Sequence, residues 1–566
     1  MRSSGYGPTA RRHRPSGRDD ARPQDRRHLP GVPHRGADHD LDDRERRRAP
    51  VHHLSRVRGE VVDEGGPGDP PPLGDRAGRR GPFLGQASPD PPPDRRGTAP
   101  TRVPRARPRV RWPPVASRDL SRIFKAYDVR GVVPDELDED VARRIGAAFA
   151  HFSGEPRILL GRDCRLSSER LGAAFAEGVT GRGADVVDLG LVSTDLLYFA
   201  SGELGMPGAM LTASHNPPEW NGVKFCLSGA RPVGQDTGLA EIRALAERDE
   251  YPPAPRRGRV ERRDLLDRYV EHVLSFVDPA AMRPLTVVVD TANGMGGIVV
   301  PAVMSRLPLT LVHLYPELDG TFPNHPADPI DPRNQEDLKR AVLEHRADVG
   351  FAFDGDADRV FLVDERAEGV SGSLVTALVA EYMLERHPGA TIVHNLICSW
   401  VVPEVIREHG GTPVRSRVGH SFIKQVMAET GAVFGGEHSG HYYFRENHNA
   451  DSGLIAAVVV LGRMSESGLP LSKLLEPYRR YHDSGEINSR VEDPRAAIER
   501  LAEAFRDGRQ DRLDGLTVEF DDWWFNVRPS NTEPLLRLNV EARTRELLEE
   551  KTALVLRLIR GNEEAS

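Results

Sequence analysis

The chain has 566 residues and a formal net charge of −8, with 29% charged and 38% hydrophobic residues; at roughly 100–200 residues per domain it has room for several domains. No window approaches the roughly 18 uninterrupted apolar residues of a membrane span, and the start, Arg2-Ser3-Ser4 running into Arg/Pro/Asp-rich sequence, lacks the apolar core of a secretory signal. Three scattered cysteines (Cys164, Cys226, Cys398) build neither a disulfide framework nor a CxxC, so a reduced, cytoplasmic setting is expected.

The net charge hides a split. Residues 1–118 hold 26 of the 77 basic residues, all Arg, 15 of the 85 acidic ones and 20 of the 46 prolines; their formal charge is +11 and that of 119–566 is −19. Runs such as Asp69-Pro70-Pro71-Pro72 break every candidate element. A segment of this kind does not bury enough apolar surface to offset its conformational entropy, so disorder is expected. The absence of any Met between Met1 and Met206, with the Arg/Pro/Gly/Asp bias, favours sequence mis-assigned upstream of the true start. A nucleic-acid-binding arm is disfavoured, because acids interleave with the arginines and no aromatic platform accompanies them.

From Leu120 onward, short apolar runs alternate with helical periods, the pattern of an α/β protein. Strands are predicted at 157–160, 184–189, 208–211, 285–290, 349–353, 360–363 and 391–395. Helices are predicted at 139–150, 168–182, 264–276, 335–345, 374–386, 421–430 and 547–559, with Ser421 expected as an N-cap. Composition shifts suggest four domains: 119–259, 260–368, 369–484 and a smaller α+β domain at 485–566.

Four motifs carry chemistry. Leu211-Thr212-Ala213-Ser214-His215-Asn216-Pro217-Pro218 leads from a strand into a proline-stiffened loop. There a hydroxyl beside an imidazole suits an activated nucleophile or a phosphate carrier. Phe353-Asp354-Gly355-Asp356-Ala357-Asp358-Arg359 puts three carboxylates at a strand end, where a hard divalent cation relieves their repulsion. Arg359 stands where an EF-hand needs Gly, so that reading is rejected; a D-x-D phosphatase remains open on this motif alone. Gly435-Gly436-Glu437-His438-Ser439-Gly440-His441 suits hydrogen bonding to sugar hydroxyls, and nothing around its two histidines completes a zinc site. Val527-Arg528-Pro529-Ser530-Asn531-Thr532-Glu533-Pro534 joins two apolar runs and has the guanidinium, hydroxyl and amide donors of a phosphate clamp.

In this order, and following Ile123-Phe124-Lys125-Ala126-Tyr127-Asp128-Val129-Arg130-Gly131, the motifs resemble the α-D-phosphohexomutase superfamily. Gly436–His441 is similar to its phosphomannomutase and phosphomannomutase/phosphoglucomutase branch. The resemblance implies four domains around a central cleft, the first three related α/β domains. It implies that Ser214 carries a phosphoryl group and, with Asp354, Asp356 and Asp358, binds Mg²⁺. Arg359, Arg130 and Lys224 would line the transfer site, with His420 and His441 at the cleft. Tyr127, Glu437 and Ser439 would contact sugar, and Arg528, Ser530, Asn531 and Thr532 would grip the phosphate not being transferred. The implied activity interconverts the 6- and 1-phosphates of mannose, with glucose phosphates as further candidates, through a sugar 1,6-bisphosphate; the preference between the two hexoses is left open, and a phosphoglucosamine mutase is disfavoured by His438. A silent sugar-phosphate-binding protein is argued against by the intact Ser214 and aspartate loop. The expected partner is a small sugar phosphate, with neither nucleic acid nor membrane; the oligomeric state is left open. Around Val393-His394-Asn395-Leu396-Ile397-Cys398-Ser399, a basic residue found in some members is missing.

Overall fold

A computed structural model describes residues 119–529 and 535–561. The expectations for 1–118, and those for Ser530, Asn531 and Thr532, lie outside the described residues.

Three α/β units repeat one topology. In each, the first of the parallel strands lies between two parallel neighbours, and the third of them then turns back antiparallel. In the first unit, Arg157–Arg162 sits between Asp185–Leu191 and Gly208–Leu211, and Gly208–Leu211 pairs antiparallel with Trp220–Leu227. In the second, Leu285–Asp290 lies between Leu309–Leu314 and Val349–Phe353, and Val349–Phe353 turns back into Val360–Asp364. In the third, Thr391–Asn395 lies between Thr412–Ser416 and Phe434–Gly436, and Phe434–Gly436 turns back into Tyr442–Phe444. The inner strands are near-continuous apolar runs because helices cover both faces; all five residues of Val349–Phe353 are buried. The fourth unit is a five-stranded antiparallel sheet with the helices Pro494–Ala504 and Arg545–Arg560.

The predicted strands and helices all form, with ends displaced by up to three residues. Ser421 is not the cap: Gly419, at φ 129°, holds that position and the helix begins at His420. A Cβ on Gly419 would meet the Tyr127 ring at 2.7 Å, so contact with a distant residue, which local periodicity does not report, sets where the helix starts.

Three expected boundaries cut through sheets. Val260–Arg262 pairs with Asp185–Leu191 and so completes the first sheet. Gly369–Val370 is the outer strand of the second. His482–Arg490 is an edge strand of the last, so the boundary expected at 484/485 falls inside it. These outer strands are short or exposed and lack the alternation that marks a half-buried strand.

One apolar core runs through the first three units, from Leu159 through Val287 and Phe353 to Val459 and Tyr478. The C-terminal unit keeps a core of its own, centred on Phe505, Phe525 and Leu538. No single helix among the described residues is long and apolar enough to cross a membrane.

Candidate active site

The repeated topology decides where the motifs meet. In each α/β unit, the loop leaving the carboxyl end of the third parallel strand carries a motif: Ser214 in the first, Asp354–Arg359 in the second, Glu437–His441 in the third. Carboxyl ends of parallel strands are where open α/β sheets bind ligands. Three copies of one connection thus supply three different chemistries to one place.

Ser214 is 3% exposed and held at φ 50°, a left-handed conformation that is strained for a residue with a Cβ. Its Oγ donates to Asp354 Oδ2 at 2.6 Å and accepts from Arg359 Nη2 at 3.2 Å. Arg359 also donates from Nε to Asp354 Oδ2 at 3.0 Å, and its guanidinium donates to His215 Nδ1. Burial first, then Arg359, drives the His215 pKa well below its ordinary value. The two loops touch closely: a Cβ on Gly355 would meet the Ser214 carbonyl at 2.5 Å, so glycine is required there.

The Asp354, Asp356 and Asp358 carboxylates gather within 4.8 Å and are almost fully buried. Lys224, from the strand Trp220–Leu227, donates to Asp356 Oδ2 at 2.7 Å and Asp358 Oδ2 at 2.6 Å. Burial works against the Lys224 charge, yet the two carboxylates outweigh it and raise the pKa. Burial likewise opposes ionisation of Asp356, and Lys224 outweighs it to hold that carboxyl low. Asp356 Oδ1 and Asp358 Oδ1 are buried with no hydrogen-bond partner. Such atoms cost on the order of 1–3 kcal/mol unless something satisfies them, and a hard cation does so.

Arg130 donates to Asp128 Oδ2 at 2.9 Å, to the Ala213 carbonyl at 3.3 Å and to Asn216, which places it beside the Ser214 loop. His441 Nδ1 is 2.8 Å from Asp451 Oδ2 and 3.9 Å from Asp358 Oδ1. Its ring stands 6.4 Å from that of His420, which packs 5.6 Å from Tyr127. Tyr127 donates its hydroxyl to the Val418 carbonyl at 3.0 Å, tying the first unit to the third. Glu437 is 1% exposed and accepts from Asn395 Nδ2 at 3.0 Å, Gly419 N at 3.3 Å and Tyr443. Ser439 is half-buried in the same loop. His438 pairs with Ser373 and His441 with Asp451, so the two histidines serve separate contacts. Arg528 is held in the C-terminal sheet by Asn539 Oδ1 at 2.8 Å and Glu486 Oε2 at 2.5 Å.

Sequence reasoning missed three buried groups. Arg165 donates to the carbonyls of Ser214, Asn216, Pro217 and Trp220 at 2.6–3.0 Å, gripping the serine loop from behind; its only signal was a position three residues beyond a strand end. Asp451 bridges His441 to Lys424 Nζ at 2.7 Å. Asp195 accepts from Ser452 Oγ at 2.6 Å, from Tyr269 and from Ser193, so one carboxyl joins all three α/β units. Burial pushes its pKa up to about 6. Next to it, Thr194 Oγ1 donates to Asp356 at 2.6 Å.

Family models of the phosphoglucomutase/phosphomannomutase α/β/α domains I, II and III match residues 121–252, 267–369 and 371–481, and that of the C-terminal domain matches 486–557. The chain belongs to the phosphoglucomutase/phosphomannomutase family. A phosphomannomutase of Salmonella montevideo is 43% identical over 448 residues, covering 77% of this chain and 98% of the relative. Among solved structures, a phosphoglucomutase/phosphomannomutase family protein from Burkholderia thailandensis matches with a TM-score of 0.72 at 33% identity, over 78% of this chain and 98% of that one. N-acetylphosphoglucosamine mutase of Aspergillus fumigatus shares the fold at 15% identity, with a TM-score of 0.52 over 78% of this chain and 96% of its own; that structure is a complex with GlcNAc-6P and magnesium. Family members are phosphohexomutases, isomerases that shift a phosphoryl group within a hexose phosphate.

Proposed function

We propose that this chain is a phosphomannomutase, interconverting mannose 6-phosphate and mannose 1-phosphate, with glucose phosphates as further substrates. The reaction runs through a phosphorylated Ser214 and a sugar 1,6-bisphosphate. One observation carries the reading: the Ser214 hydroxyl, 2.6 Å from Asp354, lies where three strand-end loops bring carboxylates, cations and a histidine together.

The aspartate loop suits Mg²⁺, because it offers oxygen donors only and keeps two carboxylate oxygens unsatisfied. Asp354, Asp356 and Asp358, with an oxygen of the phosphoryl group on Ser214, would hold the ion. When bound, it supplies positive charge that offsets charge on the transferring group. Arg359 and Arg130 hold the phosphoryl group in line with the sugar hydroxyl. Lys224, kept charged by Asp356 and Asp358, stabilises negative charge; it is a poor proton acceptor. His441, its Nδ1 bound to Asp451, keeps Nε2 to exchange a proton with the sugar hydroxyl. Burial works against its proton, and Asp358 and Asp451 outweigh burial to raise the pKa.

Glu437 and Ser439 read sugar hydroxyls beside Tyr127 and His420. Arg528, with Ser530, Asn531 and Thr532, grips the phosphate that stays. After the first transfer the bisphosphate turns end for end and Ser214 is rephosphorylated. The free cysteines suit the reducing cytoplasm. The test is to incubate purified protein with mannose 1-phosphate or glucose 1-phosphate, Mg²⁺ and catalytic sugar 1,6-bisphosphate, following products by phosphorus NMR. The 6-phosphate is expected. Steady release of inorganic phosphate without isomerised sugar overturns the mutase reading in favour of a phosphatase.

A further inference from the structure

A cavity of about 540 Å³ opens between the third α/β unit and the C-terminal unit, on walls that hold none of the residues assigned above. That is the size of a small-molecule site. Its walls come from the strand Thr391–Asn395, the helix Val401–Glu408 and the C-terminal sheet, with Tyr481 at the junction.

The charges on these walls divide into satisfied and unsatisfied groups. Arg415 is paired with Glu519 and Asp511, and Arg509 with Glu519. Glu404 accepts from Tyr481 at 2.6 Å and from Arg480. Arg407 and Arg543 have no carboxylate partner among the described residues; each donates only to a carbonyl, of Pro403 and Asp521 respectively, at 3.2 and 3.4 Å. The Asp521 carboxylate is unpaired as well, so the unsatisfied groups leave an excess of one positive charge and one strong acceptor.

Two further features narrow the ligand. His394 is 5% exposed and donates Nδ1–H to the Asn395 carbonyl at 3.0 Å. A carbonyl only accepts, so the tautomer is fixed and Nε2 remains as an acceptor; burial pushes the ring's pKa down to about 4, keeping it neutral. Trp400 and Tyr481 meet edge to face at 5.5 Å, and the Arg543 guanidinium lies 5.6 Å from the Tyr481 ring centre. The cavity therefore offers an anion grip, acceptors for hydroxyl groups and aromatic surface for a flat ring.

We infer that this cavity is a second ligand site, separate from the catalytic cleft, that takes a nucleoside phosphate. Its phosphate sits on Arg407 and Arg543, its ribose hydroxyls donate to Asp521 and His394 Nε2, and its base packs on Trp400 and Tyr481. The assignment is independent of which hexose the cleft prefers.

Calorimetric titration of the intact protein with AMP and with GMP, in saturating mannose 1-phosphate, tests it. One site per chain is expected for at least one nucleotide. Ribose 5-phosphate, adenosine and inorganic phosphate are each expected to bind at least about tenfold more weakly. Arg407→Ala and Arg543→Ala, both at exposed positions, are each expected to weaken nucleotide binding at least about tenfold while mutase turnover is unchanged. Absence of binding by both nucleotides, undiminished binding in both variants, or displacement by mannose 1-phosphate overturns the site. Ribose 5-phosphate binding as tightly as the nucleotide overturns the assignment of a base.

Discussion

The three α/β units and the C-terminal unit are built onto one another by different physics. The first three share a continuous apolar core, and buried polar links cross between them: Asp195 to Tyr269 and Ser452, and Lys224 to Asp356. The C-terminal unit closes its own core. Polar contacts tie it to the third unit: Trp400 N to Glu541 at 2.9 Å, Val418 N to Asp514 at 3.2 Å, and Arg415 to Glu519 and Asp511. Apolar burial is hard to undo part-way, whereas polar contacts exchange with water at small net cost. The end of the cleft proposed to transfer phosphate is therefore fixed, and the end that carries Arg528 is the one free to adjust. The proposed reaction, whose bisphosphate intermediate turns round inside its site, needs both.

The fixed end is broken most severely at Ser214. Ser214→Ala is expected to lower kcat by at least about 10³-fold, with an unchanged far-ultraviolet spectrum and no phosphoenzyme by intact-mass measurement. Lys224→Met comes next, since it leaves Asp356 and Asp358 buried without their counter-charge. Removing one partner of a buried pair costs about 3–5 kcal/mol, readable as a lower denaturation midpoint in metal-free buffer. Millimolar Mg²⁺ is expected to restore part of that loss, because the ion replaces the missing charge; no recovery would separate the aspartate loop from cation binding.

What was legible in the sequence follows the same division. The four motifs stood out because each is a polar cluster at the end of an apolar run, and the repeated strand topology of the α/β units turns the first three of those ends toward one cleft. The parallel strands were legible for their continuous apolar runs. Val260–Arg262 and Gly369–Val370 were not, because two or three residues are too few to show a period. Arg165 was hidden for another reason: the carbonyls it grips lie 49 to 55 positions along the chain, and its one local partner, Asp163 at 3.2 Å, does not announce them. Asp195 and Asp451 gain their meaning only when separate units pack. Ser421 looked like a cap because the turn made at Gly419 around Tyr127 is tertiary.

Arg165 gives the finer test of the fixed end. Lysine keeps the charge but offers three donors from one point, where the guanidinium reaches four carbonyls from a planar fork. Arg165→Lys is expected to loosen the Ser214 loop and lower kcat by about 10²-fold, with KM for the sugar phosphate nearly unchanged, since the loop positions the phosphoryl group and does not bind sugar. Steady-state kinetics separates the two parameters, and a rise in KM alone would assign Arg165 to the sugar instead.

The smallest effect belongs to the adjustable end. Glu541 accepts from Trp524 Nε1 at 2.8 Å and from Trp400 N, so it joins the C-terminal unit to the third. Burial pushes its pKa from 4.5 up to about 7, against the opposing pull of its hydrogen-bond donors. The folded chain thus holds a proton that the unfolded chain has released between those values. This contribution is fully present below 4.5 and is lost as pH rises through about 7. Glu541→Gln removes the titration while keeping a carbonyl oxygen for both donors. The stability of the variant relative to the parent is expected to grow between about pH 5 and about pH 8, by on the order of 2 kcal/mol. Urea denaturation of both proteins, followed by tryptophan fluorescence at the two pH values, measures it. Asp195, whose pKa is also raised, cancels in the difference between the two proteins. A difference that stays flat with pH would mean that Glu541 is ionised in the folded chain, and the tie between the two units would then be a charged one, tighter than a neutral carboxyl provides.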